Sequence, residues 1–210
     1  MKASLAAMVV AVQEFLACRC LKFTGSIGFL LTSDEEGPAL DGTQQVVKVL
    51  QARGERIDYC IVGEPSSDLR VGDELRVGRR GSLHGELHIY GEQGHIAYPG
   101  NNPIHRALGA LQALIALPAA NLLTMSDPAI IGAPLSVQIS NIAAGDGVLN
   151  VTPASLNVKF NMRFPDGITV TALQEQVHNI LAAHHLRYLI KWNLSSEPWF
   201  SRPGRLATVA

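Results

Sequence analysis

The sequence predicts an α/β protein in two parts: a parallel βαβ unit near the N-terminus, and an inserted ferredoxin-like β-α-β-β-α-β domain. Three observations predict it. Two near-continuous apolar runs, Ile27–Leu31 and Ile57–Val62, flank a helical stretch, the pattern of strands buried on both faces of a parallel sheet. From residue 77 to about 195 the pattern changes to alternating strands interleaved with two helices. With 47% hydrophobic and 17% charged residues among 210, the chain has the apolar mass for a core and lacks the composition of a disordered one. The expected parts are residues 1–76, the insert 77–195, and a return of 196–210 to the first part.

In chain order, Lys2 followed by "ASLAAMVVAV" and "FLAC" imitates a short signal peptide with a lipid-anchoring cysteine. Gln13 and Glu14 interrupt that apolar stretch, which is too short to span a bilayer. Leu5, Met8, Val9, Val12, Phe15 and Leu16 fit one face of an amphipathic helix instead. No other segment suggests a membrane. The strand "SIGFLLTS" follows, then the helix "GTQQVVKVLQARG", with Val46, Val47 and Leu50 on one face and Gly54 as its stop. "IDYCIVGEPSS" supplies the second strand.

In the insert, "SLHGELHIYG" alternates like an exposed antiparallel strand. "NPIHRALGALQALIALP" is a helix that Asn102 can cap, that Pro103 opens and that Pro118 ends. "PLSVQISNIAAG" and "SLNVKFNMRFPDG" are alternating strands joined by a Gly-rich connection. "TVTALQEQVHNILAAHH" is the second helix, with His184 and His185 in its last turn, where positive charge is favourable. "RYLIKWNLS" is the last strand.

The 17 basic and 18 acidic residues give a net charge of -1, which argues against a nucleic-acid partner, for which a basic face is needed. Cys18, Cys20 and Cys60 are too few for a disulfide framework, so free thiols in a reducing cytoplasm are expected. Cys18-Arg19-Cys20 could form half of a metal clip, but no second pair exists.

The chemistry concentrates in "LLTSDEEGPALDG", where the first apolar run ends in Asp34, Glu35 and Glu36. The second run ends in Gly63-Glu64-Pro65. Sites in open parallel sheets form at the carboxyl ends of strands, where these acids lie. Neighbouring glutamates can diverge, so that one coordinates a metal and the other stays free as a base, while Glu64 takes the same ion or a second one. Carboxylates with histidines suit Zn²⁺, Mn²⁺ or Co²⁺, and a metal-bound water beside a free glutamate is the apparatus of amide hydrolysis. Acid runs also occur as solvated turns, and that reading stays open at this point.

"TSDEEG", "DYCIVGEPSS", "GRRGSLHGELHIYGEQGHIAYP" and "NPIHRAL" resemble the dinuclear zinc aminoacylase and carboxypeptidase family, through nearly the whole chain. The resemblance implies a partial catalytic domain of the zinc-peptidase type with an inserted dimerisation domain. It implies Glu35 as general base, Glu36 as a ligand of one zinc and Glu64 as a ligand of the other. His95 matches a histidine that reaches across a homodimer to the partner's oxyanion. Arg79, Tyr98, Asn150 and Arg163 match substrate-contacting positions. Two Zn²⁺ per subunit are implied, with Co²⁺ as an alternative, and the implied substrate is small: N-succinyl-L,L-2,6-diaminopimelate, cleaved to succinate and L,L-diaminopimelate. Sibling deacylases acting on acetylornithine or other acyl amino acids are the alternative, as is a non-catalytic dimerisation module. The family's bridging aspartate would fall just before Met1, and its histidine ligands outside residues 1–210. The expectation is therefore a chain truncated at both ends and inactive alone. "AYPGNNP" is about two residues shorter than the family's usual loop.

Overall fold

The computed structural model describes residues 2–18, 22–36, 39–98, 100–122, 134–201 and 204–206. The chain divides into two compact units, Met1–Leu75 with Arg205–Ala210, and Arg76–Gly204. Of the Cys18-Arg19-Cys20 stretch, only Cys18 lies within the described residues; it and Cys60 are exposed free thiols.

The first unit carries two helices, α1 (Lys2–Cys18) and α2 (Thr43–Ala52). On α1 the half-buried positions are Ser4, Met8, Val12 and Leu16, spaced every four residues; Leu5, Val9 and Phe15 stay exposed. The covered stripe is thus narrower than the expected face. Val46, Val47 and Leu50 are the half-buried face of α2, as the sequence predicts. Gly54 adopts φ +69 just past the helix, while its N–H reaches Gln51 O (3.0 Å) and the Glu55 N–H reaches Leu50 O (3.0 Å). This paired closure satisfies carbonyls that the helix end would leave open.

The two flanking strands do not form as predicted. Among the described residues no ladder includes 27–31 or 57–62, although the helix between them is present. Ile27, Leu31, Ile57 and Val62 are 45%, 69%, 59% and 70% exposed. A parallel strand is stabilised by neighbours that take up its backbone groups and cover both its faces, and these segments have neither.

The second unit holds the remaining elements in order: β1 (Gly78–Arg79), β2 (Gly81–Tyr90), β3 (Gly94–His95), α3 (Pro103–Leu122), β4 (Ser136–Ala144), β5 (Val151–Thr152), β6 (Ser155–Phe164), α4 (Val170–Ala183), β7 (Tyr188–Ser196) and β8 (Trp199–Phe200). Its main sheet has the order β4-β6-β2-β7, with every neighbour antiparallel. That is the ferredoxin-like arrangement the β-α-β-β-α-β pattern predicts. β2 is a central strand with one buried face rather than an exposed one; Leu83, Leu87 and Ile89 point inward and His84 and Glu86 outward. β6 alternates likewise, burying Leu156, Val158, Phe160, Met162 and Phe164. Ala107, Ala110 and Leu114 of α3 and Leu173, Val177 and Leu181 of α4 belong to the same core.

Asn102 caps α3 through Oδ1, which accepts the Ile104 N–H at 3.0 Å. Pro103 is the first helical residue, where a missing N–H costs nothing. Pro118 does not end the helix, which continues to Leu122. A proline removes one backbone donor and crowds the preceding turn, but a long helix can continue past it. His184 and His185 also sit differently from expectation. His184 is the C-cap of α4 and His185 follows it at φ +51, its N–H on Ala182 O (2.9 Å) and the Leu186 N–H on Leu181 O (3.2 Å). A histidine thus fills the left-handed position usually held by glycine.

Two glycines in β2 face phenylalanine rings across the ladder, Gly81 opposite Phe164 and Gly85 opposite Phe160. A methyl group at either would overlap the ring, and both rings are essentially inaccessible. Gly85→Ala is therefore expected to destabilise this unit by about 1–3 kcal/mol, the usual range for overpacking. A lowered urea midpoint at constant slope would show it, and an unchanged midpoint would mean the ring moves freely.

Candidate functional site

The chemistry-bearing residues fall into two sets, one in each unit. In the first unit, the loop after residues 27–31 closes on itself. Asp34 Oδ2 accepts the Asp41 N–H at 3.3 Å, and Gly42 passes so close to the Asp34 carbonyl that a Cβ there would lie 2.9 Å from its oxygen. Asp34 thus has a local structural task, which leaves Glu35 and Glu36, both exposed, as the acids available for chemistry.

Glu64 is exposed as well and follows Gly63, against which Met8 and Ser4 of α1 pack closely. The chain then enters a tight loop around Asp73. Its carboxylate accepts N–H groups from Asp68 (3.0 Å), Leu69 (2.8 Å) and Arg70 (2.8 Å). The Arg70 bond foremost, then that of Asp68, holds the Asp73 carboxyl below its ordinary range. Ser66 Oγ donates to Glu74 O at 2.6 Å, and Ser67 Oγ accepts the Gly72 N–H at 2.8 Å. This loop fixes the chain immediately after Glu64.

Exposed carboxylates offer the oxygen donors a divalent cation takes, and Glu36 and Glu64 fit zinc in chemical type. Among the described residues, however, no group of three His, Cys, Asp or Glu is placed to hold an ion. The described carboxylates alone do not complete a metal centre.

The second unit brings three predicted positions together. The short ladder of β3 and β5 pairs Gly94 with Thr152 and His95 with Val151. The Ile96 N–H reaches Asn150 O at 3.1 Å, and the Tyr98 N–H closes a turn on His95 O at 3.0 Å. His95, Tyr98 and Asn150 thus share one exposed corner, with the His95 and Tyr98 ring centroids 6.1 Å apart. Gly94 lies in extended strand, directly before His95. Arg79 stands apart on β1, opposite Trp199 of β8. Arg163 is on the solvent face of the main sheet, in register with Ser82 and Ser136. Arg80, next to Arg79 in sequence, donates to Pro134 O (3.1 Å) and Ser136 Oγ (3.2 Å) and so has a structural task.

Two groups at the corner escape the sequence reading. Thr152 Oγ donates to Gly94 O at 3.1 Å, with Glu92 O at 3.4 Å, and the Ala97 N–H donates to His95 Nδ1 at 3.2 Å. The sequence signal for Thr152 is only its place two residues after Asn150; a backbone amide such as that of Ala97 leaves none.

Among the described residues no helix is long and apolar enough to cross a membrane. A family model described as a peptidase dimerisation domain matches residues 77–189. A succinyl-diaminopimelate desuccinylase of Coxiella burnetii (strain Dugway 5J108-111) is 50% identical over 210 residues, covering 99% of this chain and 54% of that protein. One of Leptothrix cholodnii is 51% identical over 208 residues, covering 98% and 53%. A solved hydantoinase/carbamoylase family amidase from Burkholderia ambifaria is similar over 58% of this chain and 30% of its own, at 13% identity and a TM-score of 0.47. The chain spans about half the length of the curated relatives it matches.

Proposed function

The chain belongs to the peptidase dimerisation domain family, and from that premise we propose that its polypeptide is a metal-dependent amide hydrolase, a succinyl-diaminopimelate desuccinylase. The single observation that carries the proposal is the 50% identity to a desuccinylase over 99% of this chain, which takes in both the carboxylate segments and the His95 corner. The reaction is N-succinyl-L,L-2,6-diaminopimelate plus water to succinate and L,L-diaminopimelate, in a cytoplasmic homodimer. The exposed apolar residues Leu108 and Ile115, one helical face of α3, support self-association.

In this reading Glu36 and Glu64 would hold a zinc pair, completed by ligands beyond the described residues, with Co²⁺ as a substitute. Bound zinc lowers the pKa of water and polarises an amide carbonyl. Glu35 removes the proton of the attacking water and can return it to the leaving amine. His95 donates a hydrogen bond to the carbonyl oxygen as negative charge develops there. Tyr98 and Asn150, at the same corner, together with Arg79 and Arg163, bind the substrate. The two guanidinium groups suit its carboxylates.

The test is succinate release from N-succinyl-L,L-2,6-diaminopimelate, with N-acetylornithine and other N-acyl amino acids as competitors. It uses this sequence carried at the relatives' full length and loaded with Zn²⁺ or Co²⁺. The expected preference in kcat/KM for the succinyl substrate is on the order of 10⁴-fold, because polar groups built for its carboxylate would stay unpaired otherwise. Preference for acetylornithine would point to the sibling deacylase. A dimer that binds zinc but turns over no acyl amino acid would leave a dimerisation module.

A further inference from the structure

We infer that the protein selects one tautomer of the neutral His95 ring, the one with its proton on Nε2, with the Ala97 amide and the Thr152 hydroxyl as its positioning groups. The inference rests on the reading of His95 as an oxyanion donor, but it is tested without measuring turnover. A neutral imidazole has one N–H donor and one bare nitrogen, and the group facing one nitrogen decides where the proton sits. The Ala97 N–H faces His95 Nδ1 at 3.2 Å. A donor is satisfied there only by a lone pair, so Nδ1 is bare and the proton is on Nε2. The only hydrogen bond to the His95 ring among the described residues is this one, and Nε2 is left for a substrate.

The backbone around the ring is tied on both sides. The Ile96 N–H binds Asn150 O at 3.1 Å and the Tyr98 N–H binds His95 O at 3.0 Å. One side chain adds to this: Thr152 Oγ on Gly94 O at 3.1 Å, directly before His95 and across the ladder from Gly94. An exposed histidine would otherwise sample several rotamers and both tautomers. A donor aimed at developing charge is effective because it need not reorganise when that charge appears. A two-residue strand pair, one hydroxyl and one amide supply that preorganisation here, on a corner with little packing to do so.

The experiment is nuclear magnetic resonance on the ¹⁵N-labelled 210-residue chain at about pH 8.5, above the ordinary histidine range of about 6.5. The expected result is a scalar coupling across the hydrogen bond between the Ala97 nitrogen and His95 Nδ1, with Nδ1 of the bare type and Nε2 protonated. A proton on Nδ1, or no coupling, would overturn the inference. Thr152→Val keeps the β-branched shape without the hydroxyl, and is expected to lose the coupling while the resonances of β2 and β6 stay in place. Thr152→Ser is expected to restore it. A coupling that persists in Thr152→Val would remove Thr152 from the arrangement. Because no assay of turnover is involved, a negative result here leaves the proposed reaction standing, and a failed reaction leaves the tautomer standing.

Discussion

Glu35→Gln is expected to lower kcat by about 10²–10⁴-fold in this sequence at the relatives' full length, with the metal content of the protein unchanged. The amide nearly matches the carboxylate in size and shape, so the loop that Asp34 closes through the Asp41 N–H should keep its form. What is lost is the ability to take a proton from water. Glu36→Gln, one residue on, has the opposite signature: metal content falls together with activity. Metal analysis beside the kinetic assay separates the two. If Glu35→Gln lost metal and Glu36→Gln did not, the roles of the two neighbours would be reversed.

His95→Ala is expected to lower kcat by about 10²–10³-fold, the usual loss for one donor to a developing oxyanion, again with metal content unchanged. The structural reasons for expecting a clean effect are local. The backbone of His95 is held by the β3–β5 ladder and by the bonds of Ile96 and Tyr98, none of which uses the imidazole. Removing the ring therefore costs only the Ala97 N–H its partner, at an exposed position where water can replace it. His95→Gln, whose amide can still donate, should keep more kcat than His95→Asn, whose shorter side chain can accept from Ala97 but does not reach as far. Equal losses in the two variants would mean that the donor position is not what matters.

The second unit was legible in the sequence because its signals are local and its partners come from the same stretch of chain. Leu83, Leu87 and Ile89 alternate with His84 and Glu86 in β2, and β6 answers with its own alternation at matching register. That pattern allows one buried face, and two helices with spaced apolar residues cover it. The first unit was less legible. The apolar runs at 27–31 and 57–62 carry the composition of buried parallel strands, but composition does not supply the neighbours a ladder needs, and the described residues include none. The helix α2 formed because its hydrogen bonds are internal, and Gly54 ended it as expected. Pro118 and the His184–His185 pair misled for a related reason: a proline and two basic side chains are only biases at a helix end, and α3 runs past Pro118 to Leu122 while the two histidines fall at and just beyond the end of α4.

The candidate site divides the same way. Glu35, Glu36 and Glu64 draw attention because each follows an apolar run, at what would be the carboxyl end of a buried strand, and the resemblance supplied their roles. His95, Tyr98 and Asn150 came from resemblance, and the β3–β5 ladder explains why residues some fifty positions apart meet at one corner. Thr152 and the Ala97 amide could not have been picked out beforehand, since their roles exist only once that ladder has formed.

The most direct test of the proposed reading, a desuccinylase in which the carboxylates of one subunit and the histidine of the other serve one reaction, is a mixed dimer. Glu35→Gln and His95→Ala chains, each strongly impaired alone and each carrying a different tag, are combined under conditions of subunit exchange, and heterodimers are isolated through both tags. In a heterodimer, one of the two equivalent sites pairs an intact Glu35 with the intact His95 of the other subunit. Succinate release should return to up to about half the wild-type rate per dimer. Isolated heterodimers that release succinate no faster than the two variant homodimers would contradict the account, since His95 would then serve its own subunit or none.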